Sequence, residues 1–139
     1  MRQAIHHLSV QPRNRGLVEF TDEARRFVAG QGIRTGLLTL FCRHTSASLL
    51  IQENADPSVR RDLERYFASV APEDAARYEH DTEGPDDMPA HLRTALTQVQ
   101  LSVPVEDGRM VLGTWQGLYL FEHRRHTQPR DIVLHLLGE

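Results

Sequence analysis

Two periodicities of hydrophobic and polar positions alternate along the chain and predict its secondary structure. In three segments apolar residues recur at every third or fourth position, which is the spacing of an amphipathic helix. Shorter segments rich in Leu, Val and Phe, bounded by Gly, Pro and Asp, have the pattern of strands. The strands are predicted at residues 3–10, 17–20, 35–43, 47–52, 101–105, 109–112, 118–122 and 130–137.

Three helix starts can be recognised from capping residues. Asp56 followed by Pro57 is a strong start, because Asp caps free N–H groups and Pro favours the first helical position. Thr21 is expected to cap the first helix, and Pro89 to open the third. The elements together predict an α+β fold, with a β-sandwich-like packing of sheets partly covered by two or three helices. The chain is expected to be a single domain over residues 1–139.

Two further patterns predict how the strands are placed. The sequence Glu-Asp-Gly at residues 106–108 lies between two apolar runs and predicts a β-hairpin. The run 35–43 is nearly continuous in apolar residues, which predicts a strand buried on both faces. Its Cys42 is the only cysteine, which excludes an intramolecular disulfide and favours a small buried hydrophobe over a reactive thiol.

The amino-acid composition excludes several kinds of catalytic and binding site. All 16 basic residues are arginine, so lysine Schiff bases and a Walker-type phosphate lysine are excluded. The formal net charge is −3, and partial protonation of the eight histidines brings it near zero. Neither nucleic-acid nor membrane binding is therefore predicted. There is no apolar run of membrane-spanning length and no signal-peptide pattern, and a cytoplasmic protein is expected.

Candidate metal ligands lie in the polar segment 78–91, which carries His80 and His91. A Gly-Pro pair between them bends the chain so that both can face one point, and His44, at the break between two strands, is a third candidate. Three neutral imidazoles with an open fourth position suit zinc or another divalent metal. The alternative is that these histidines are solvated or make structural contacts.

Candidate anion ligands lie in three other places. A helix start preceded by Asn54 presents free N–H groups, which favour phosphate. Trp115 has glycines on both sides of its segment, which permits close approach of a ligand or of another subunit. Arg124 and Arg130 lie in a basic segment that follows Glu122, and arginine forks bind phosphate with two hydrogen bonds. A core tryptophan and a solvated loop are the alternatives.

Several of these segments occur together in a fixed order: Gly36-Leu37-Leu38, His44-Thr45-Ser46-Ala47-Ser48, Glu53-Asn54, Asp56-Pro57, Tyr78-Glu79-His80-Asp81, Asp86-Asp87-Met88-Pro89, Gly113-Thr114-Trp115-Gln116-Gly117 and Glu122-His123-Arg124. In them the chain resembles the YjbQ family, also labelled secondary thiamine-phosphate synthase enzymes, over nearly its whole length. The resemblance implies a compact β-sandwich-like α+β fold and a homotrimer. It also implies a weak transferase activity that joins a hydroxymethylpyrimidine diphosphate to a thiazole phosphate and releases pyrophosphate.

The leading hypothesis is an enzyme-like site between subunits, in which His44, His80 and His91 bind a divalent cation, zinc or magnesium, or a phosphate. Asp81, Asp87 and Glu122 are the candidate catalytic groups, as partners of the ligands or as a general base. The candidate residues for binding a small phosphorylated metabolite are Asn54, Trp115, Arg124 and Arg130. The alternative is a non-catalytic trimeric module that binds a phosphorylated metabolite or a protein partner.

Overall fold

Eight strands and three α-helices follow one another in a computed structural model, which describes residues 1–139. The strands are β1 (Arg2–Val10), β2 (Gly16–Glu19), β3 (Gly36–Cys42), β4 (Ala47–Glu53), β5 (Gln100–Glu106), β6 (Arg109–Met110), β7 (Gln116–Glu122) and β8 (Arg130–Gly138). The helices are α1 (Thr21–Ala29), α2 (Pro57–Val70) and α3 (Asp87–Leu96), and a single 3-10 turn covers Ala75–Arg77. None of the helices has the length and apolarity needed to cross a bilayer.

The strands form two antiparallel sheets that share one hydrophobic core. The larger sheet has the strand order β1-β8-β3-β5-β6, and the smaller has the order β2-β7-β4. Buried residues of both sheets and of α1 make up the core. The predicted α+β fold, with packed sheets and three helices, is confirmed.

The larger sheet has one buried face and one exposed face. Leu38 and Leu40 are fully buried in the core, whereas Leu37 and Phe41 on the opposite face are 44% and 46% exposed. The prediction that this strand is buried on both faces is therefore wrong. The smaller sheet covers only the inner face, so the outer face, including Leu137 of β8, remains open in the single chain.

The start of α2 and the β5–β6 hairpin lie where their local sequence predicts them. Asp56 precedes α2, and its carboxylate accepts a hydrogen bond from the backbone N–H of Ser58 at 2.9 Å. Asp107 and Gly108 turn the β5–β6 hairpin with positive φ angles of 50° and 76°, which is the conformation of a tight type I′ turn.

Two predicted helix starts differ from the structure. The cap position of α1 is Phe20, not Thr21. The Thr21 hydroxyl instead donates to Glu19 at 2.7 Å and accepts from the Leu118 N–H at 2.9 Å, which ties the helix to the smaller sheet. Helix α3 begins at Asp87, two residues before the predicted Pro89.

The only cysteine lies in the core at the end of β3. Cys42 is 1% exposed, and its thiol donates to the Ala47 carbonyl oxygen at 3.6 Å. Burial raises the pKa of Cys42 to about 11, so the thiolate does not form at neutral pH. The interpretation of Cys42 as a buried hydrophobe is confirmed.

Candidate metal centre

The start of α3 brings two histidines and one carboxylate together. Asp87 and His91 are four residues apart on the first turns of α3, so their side chains lie on one face of the helix. The preceding loop bends at Gly84, where φ is +100°, and returns His80 to the same point. One ligand atom from each of His80, Asp87 and His91 lies within 4.8 Å of the other two.

Asp87 is the centre of this cluster. Its Oδ2 lies 2.8 Å from Nε2 of His80 and 3.2 Å from Nε2 of His91, while its side chain is only 4% exposed. Its Oδ1 accepts a hydrogen bond of 2.6 Å from Nη1 of Arg124. Burial raises the pKa of Asp87, but the bond with His80 and the charges of His91 and Arg124 hold the pKa below its usual value. Asp87 is therefore a carboxylate at neutral pH.

The His91 ring is oriented by the backbone. Its Nδ1 lies 2.9 Å from the carbonyl oxygen of Thr45, an atom that only accepts hydrogen bonds. Nδ1 must therefore carry the proton, and in the neutral ring Nε2 points a lone pair at the Asp87 carboxylate. Two acceptors at 3.2 Å repel each other unless a cation lies between them, either a proton or a metal ion.

His80 lies at the solvent side of the cluster. Its Nε2 is 2.8 Å from Asp87 and 3.0 Å from Glu83, and its side chain is 44% exposed. The hydrogen bond with Asp87, followed by that with Glu83, raises the pKa of His80. The carboxylates around His80 therefore favour a positive charge at this position, as they do between His91 and Asp87.

Arg124 holds the carboxylates of the loop in place. Its Nε donates to Asp86 at 3.1 Å, and its Nη2 donates to the Glu83 carbonyl oxygen at 2.8 Å. With the bond to Asp87, each of the three guanidinium nitrogens donates one hydrogen bond to this loop or to the start of α3. The residue predicted as an anion ligand therefore contacts the carboxylates of Asp86 and Asp87 in the structure.

Glu122 and Arg130 form a buried ion pair beneath the site. They are 0% and 1% exposed, and Nε of Arg130 donates to Oε1 of Glu122 at 2.8 Å. Arg130 also donates to the Ser46 hydroxyl at 3.1 Å, and Glu122 accepts the backbone N–H of Arg124 at 3.1 Å. This geometry stabilises the ends of β7 and β8, and it leaves both residues without a solvent-facing surface.

The structure does not bring His44 into the cluster. Nε2 of His44 accepts the backbone N–H of Asp131 at 2.9 Å, so this nitrogen is already occupied. Burial, together with the charge of Arg130, lowers the pKa of His44. His44 therefore caps the start of β8 as a neutral ring.

Asn54 and Trp115 lie at the other end of the smaller sheet. The Asn54 N–H donates to the Trp115 carbonyl oxygen at 3.0 Å, and the Trp115 side chain is 61% exposed. Strand β4 separates Asn54 from Thr45, and nine residues of extended chain span roughly 30 Å. Within one chain these two residues do not meet the histidine cluster.

Asp81 is exposed beside His80. Both line a cavity of about 230 Å³, together with Ala75, Tyr78, Gly84, Pro85 and Met88. Asp81 forms no hydrogen bond or ion pair in the structure, in contrast to Asp87 and Glu122. It is therefore the only one of the three predicted catalytic carboxylates that remains free to act on a ligand.

Sequence reasoning missed Glu83, Asp86 and Thr45 as parts of the site. Both carboxylates lie within the polar segment 78–91. Asp86 contacts Arg124 and Arg125, which are distant in sequence and leave no local pattern, whereas Glu83 contacts His80, three residues before it. Thr45 contributes only a backbone oxygen, which no sequence motif reveals. The spacing of Asp87 and His91 at i and i+4 is the signal that could have linked these two residues before the structure was known.

Comparisons with known proteins match this chain over nearly its full length. The family model described as "UPF0047 protein YjbQ-like" matches residues 6–139. The UPF0047 protein sll1880 of Synechocystis is 49% identical over 138 residues, which cover 99% of this chain and 94% of the relative. The UPF0047 protein YjbQ of Salmonella typhimurium is 50% identical over 133 residues, covering 95% of this chain and 94% of that protein.

Solved structures agree with this assignment. An uncharacterised conserved YjbQ/UPF0047 family protein of Clostridium acetobutylicum superposes with a TM-score of 0.85 at 30% identity, covering 95% of this chain and 99% of that one. A conserved hypothetical protein of Thermus thermophilus superposes with a TM-score of 0.81 at 34% identity, with coverage of 95% and 99%. The fold, the order of the motifs and the full-length identity lead to one conclusion: this chain belongs to the YjbQ-like UPF0047 family.

Proposed function

We propose that His80, Asp87 and His91 bind a divalent metal ion, and that the bound metal holds the phosphate group of a small phosphorylated metabolite. The orientation of His91 carries this proposal. Its Nδ1–H is fixed on the Thr45 carbonyl oxygen at 2.9 Å, so Nε2 is presented towards Asp87. A backbone acceptor on the outer nitrogen is the usual support of a metal-bound imidazole.

The donor set favours zinc. Two imidazole nitrogens and one carboxylate oxygen are characteristic zinc ligands, whereas magnesium prefers oxygen ligands and retains its water. Three protein ligands leave coordination positions open, as in catalytic rather than structural zinc sites. The exposed side of His80 and the adjacent 230 Å³ cavity give a small ligand access to these positions.

Each neighbouring residue has a task in this proposal. Arg124 fixes the Asp87 carboxylate through Oδ1 and leaves Oδ2 for the metal. Asp81, which has no partner of its own, acts as the general base on a ligand in the cavity. The bound cation supplies a Lewis acid that neutralises phosphate oxygens.

The resemblance stated above extends this proposal to thiamine-phosphate synthase-like transfer. In that reaction a pyrimidine diphosphate loses pyrophosphate, and a cation next to the diphosphate stabilises the charge that builds up on the leaving group. The alternative function is a non-catalytic module that binds a phosphorylated metabolite or a protein partner at the same centre. Pyrophosphate release by the zinc-loaded protein from the two substrates distinguishes the transferase from the binding module.

The metal proposal is tested by titrating chelator-treated protein with zinc chloride in a calorimeter, and with magnesium chloride in a second arm. His80→Ala and His91→Ala are each expected to weaken zinc binding by at least about tenfold. His126→Ala removes an exposed histidine that is not part of the cluster and is the matched control. Zinc affinity that is unchanged in both His80→Ala and His91→Ala refutes the metal centre.

We also propose that the chain assembles as a homotrimer, as the family resemblance implies. The open outer face of the larger sheet supports this proposal. Ile5, Leu37, Phe41 and Leu137 on strands β1, β3 and β8 are each between 40% and 66% exposed. Exposed large apolar side chains that share one uncovered sheet face are typical of subunit interfaces.

A further inference from the structure

A groove rich in arginine lies between α2 and the loop that joins β1 to β2. It has a volume of about 580 Å³, which is within the range of small-molecule sites. Four of its twelve lining residues are arginines, namely Arg13, Arg15, Arg60 and Arg61; we call it the arginine groove. None of the residues of the metal centre lines it.

The charge of the arginine groove is positive although the chain is acidic. Four arginines face two glutamates, Glu19 and Glu64, in a protein whose formal net charge is −3. Glu64 is already neutralised, because it accepts hydrogen bonds of 2.9 and 3.0 Å from Arg93 and lies 3.3 Å from Arg15. The carboxylate that opposes an anion in the groove is therefore Glu19 alone.

Three of the four arginines have no carboxylate partner. Arg15 is paired with Glu73 at 2.7 Å, but Arg13, Arg60 and Arg61 form no ion pair. Unpaired arginines on a groove wall retain their full attraction for an anion, whereas paired ones must first be released. Arginine is also the side chain whose planar fork matches phosphate oxygens.

Arg60 is held in place by a neutral group rather than by a charge. Its Nη2 donates to the Tyr119 hydroxyl at 3.1 Å, and its guanidinium carbon lies 5.0 Å from the centre of the Tyr119 ring. Tyr119 is fully buried. This contact orients the guanidinium group, and because Tyr119 is neutral the charge of Arg60 is not cancelled.

We propose that the arginine groove is a second ligand site, which binds a small molecule carrying a diphosphate or polyphosphate group. Arg13 from the loop and Arg60 and Arg61 from α2 contact the anion from two sides. Nine of the twelve lining residues are polar or glycine, which suits a charged ligand rather than an apolar one. The site is independent of the metal centre and does not rest on the function proposed above.

Calorimetric titration of chelator-treated protein with sodium pyrophosphate tests this site without any metal. Arg13→Gln and Arg61→Gln are each expected to weaken binding about tenfold, since each removes a charge-assisted contact. Arg109→Gln is the matched control, because Arg109 is also exposed and unpaired but does not line the groove. Arg109→Gln and His91→Ala are both expected to bind pyrophosphate as the natural protein does.

Three results overturn the proposal. The first is pyrophosphate affinity that is unchanged in both Arg13→Gln and Arg61→Gln. The second is loss of binding in His91→Ala, which would place the anion at the metal centre. The third is a short single-stranded DNA that binds more tightly than pyrophosphate and competes with it, because the groove would then be a nucleic-acid surface. Circular dichroism of each variant verifies that it is folded.

Discussion

His123 is a fully buried histidine whose protonation should unfold the protein. Its Nε2 is 2.9 Å from the Ser48 hydroxyl, whereas its Nδ1 has no hydrogen-bond partner. The ring also packs against Phe121, with 4.3 Å between ring centres. Burial, reinforced by the charges of Arg93 and Arg130, lowers the pKa of His123 from 6.5 to about 3. The folded protein therefore keeps this ring neutral in mild acid.

The pKa shift fixes the sign and the size of the effect. Above the unfolded pKa of 6.5 the ring is neutral in both states, and it contributes no dependence of stability on pH. Below it, only the unfolded chain binds the proton, so stability falls until the pH reaches the folded pKa of about 3. Each pH unit within this window costs about 1.4 kcal/mol, and lowering the pH to about 5 removes about 2 kcal/mol.

Urea unfolding followed by far-ultraviolet circular dichroism measures this loss. The free energy of unfolding is determined at about pH 7.5 and about pH 5 for the natural chain, for His123→Gln, and for His126→Gln as the exposed control. Glutamine can still hydrogen-bond to Ser48 but does not titrate. His123→Gln is expected to lose about 2 kcal/mol less on acidification than the other two proteins.

An equal loss in all three proteins would show that the reasoning about His123 is wrong. If His123→Gln does not fold, the ring can be titrated in the natural chain by nuclear magnetic resonance. A ring that remains neutral down to about pH 4 agrees with its burial. Titration of the His123 ring near its ordinary pKa of 6.5 refutes the argument directly.

Three further substitutions test other parts of the structure. Arg130→Met leaves Glu122 buried and unpaired, and urea unfolding should show a loss of about 3–5 kcal/mol; a loss below about 1 kcal/mol contradicts the buried pair. Phe41→Glu places a charge on the outer face and should convert the proposed trimer to monomers in sedimentation velocity; a natural chain that is already monomeric refutes the assembly. Gly138→Ala puts a Cβ 2.1 Å from a backbone carbonyl oxygen and should lower the melting temperature. In the control Gly113→Ala the nearest contact is a flexible side-chain atom at 3.4 Å, so the melting temperature should not change. Equal changes in both variants would contradict the close strand spacing at Gly138.

Local chemistry in the sequence predicted much of the fold. The Asp56-Pro57 start of α2 and the hairpin at 106–108 were both readable, because each depends on a few adjacent residues. The two faces of β3 were not, because its outer Leu37 and Phe41 are as apolar as its inner residues. An apolar run shows that a strand avoids water, but not whether another element or another subunit covers it.

The candidate site was predicted only in part, because some of its contacts are local in sequence and others are not. His80, Asp87 and His91 lie on one loop and one helix turn, so their proximity follows from a short stretch of chain. His44 comes from a distant strand end, and its placement depended on the backbone N–H of Asp131, which sequence does not reveal. Arg124 was predicted as an anion ligand, but the structure pairs it with the Asp86 and Asp87 carboxylates and with the Glu83 carbonyl oxygen, which come from a distant part of the sequence.

The isolated thiol of Cys42 provides a built-in reporter of local opening. A thiol with a pKa of about 11, sealed between β3 and the core, cannot react with an alkylating reagent in the native state. Any labelling must pass through a state in which the end of β3 separates from its neighbours. The labelling rate of the natural chain therefore measures how often the larger sheet opens, with no engineered probe and no competing cysteine.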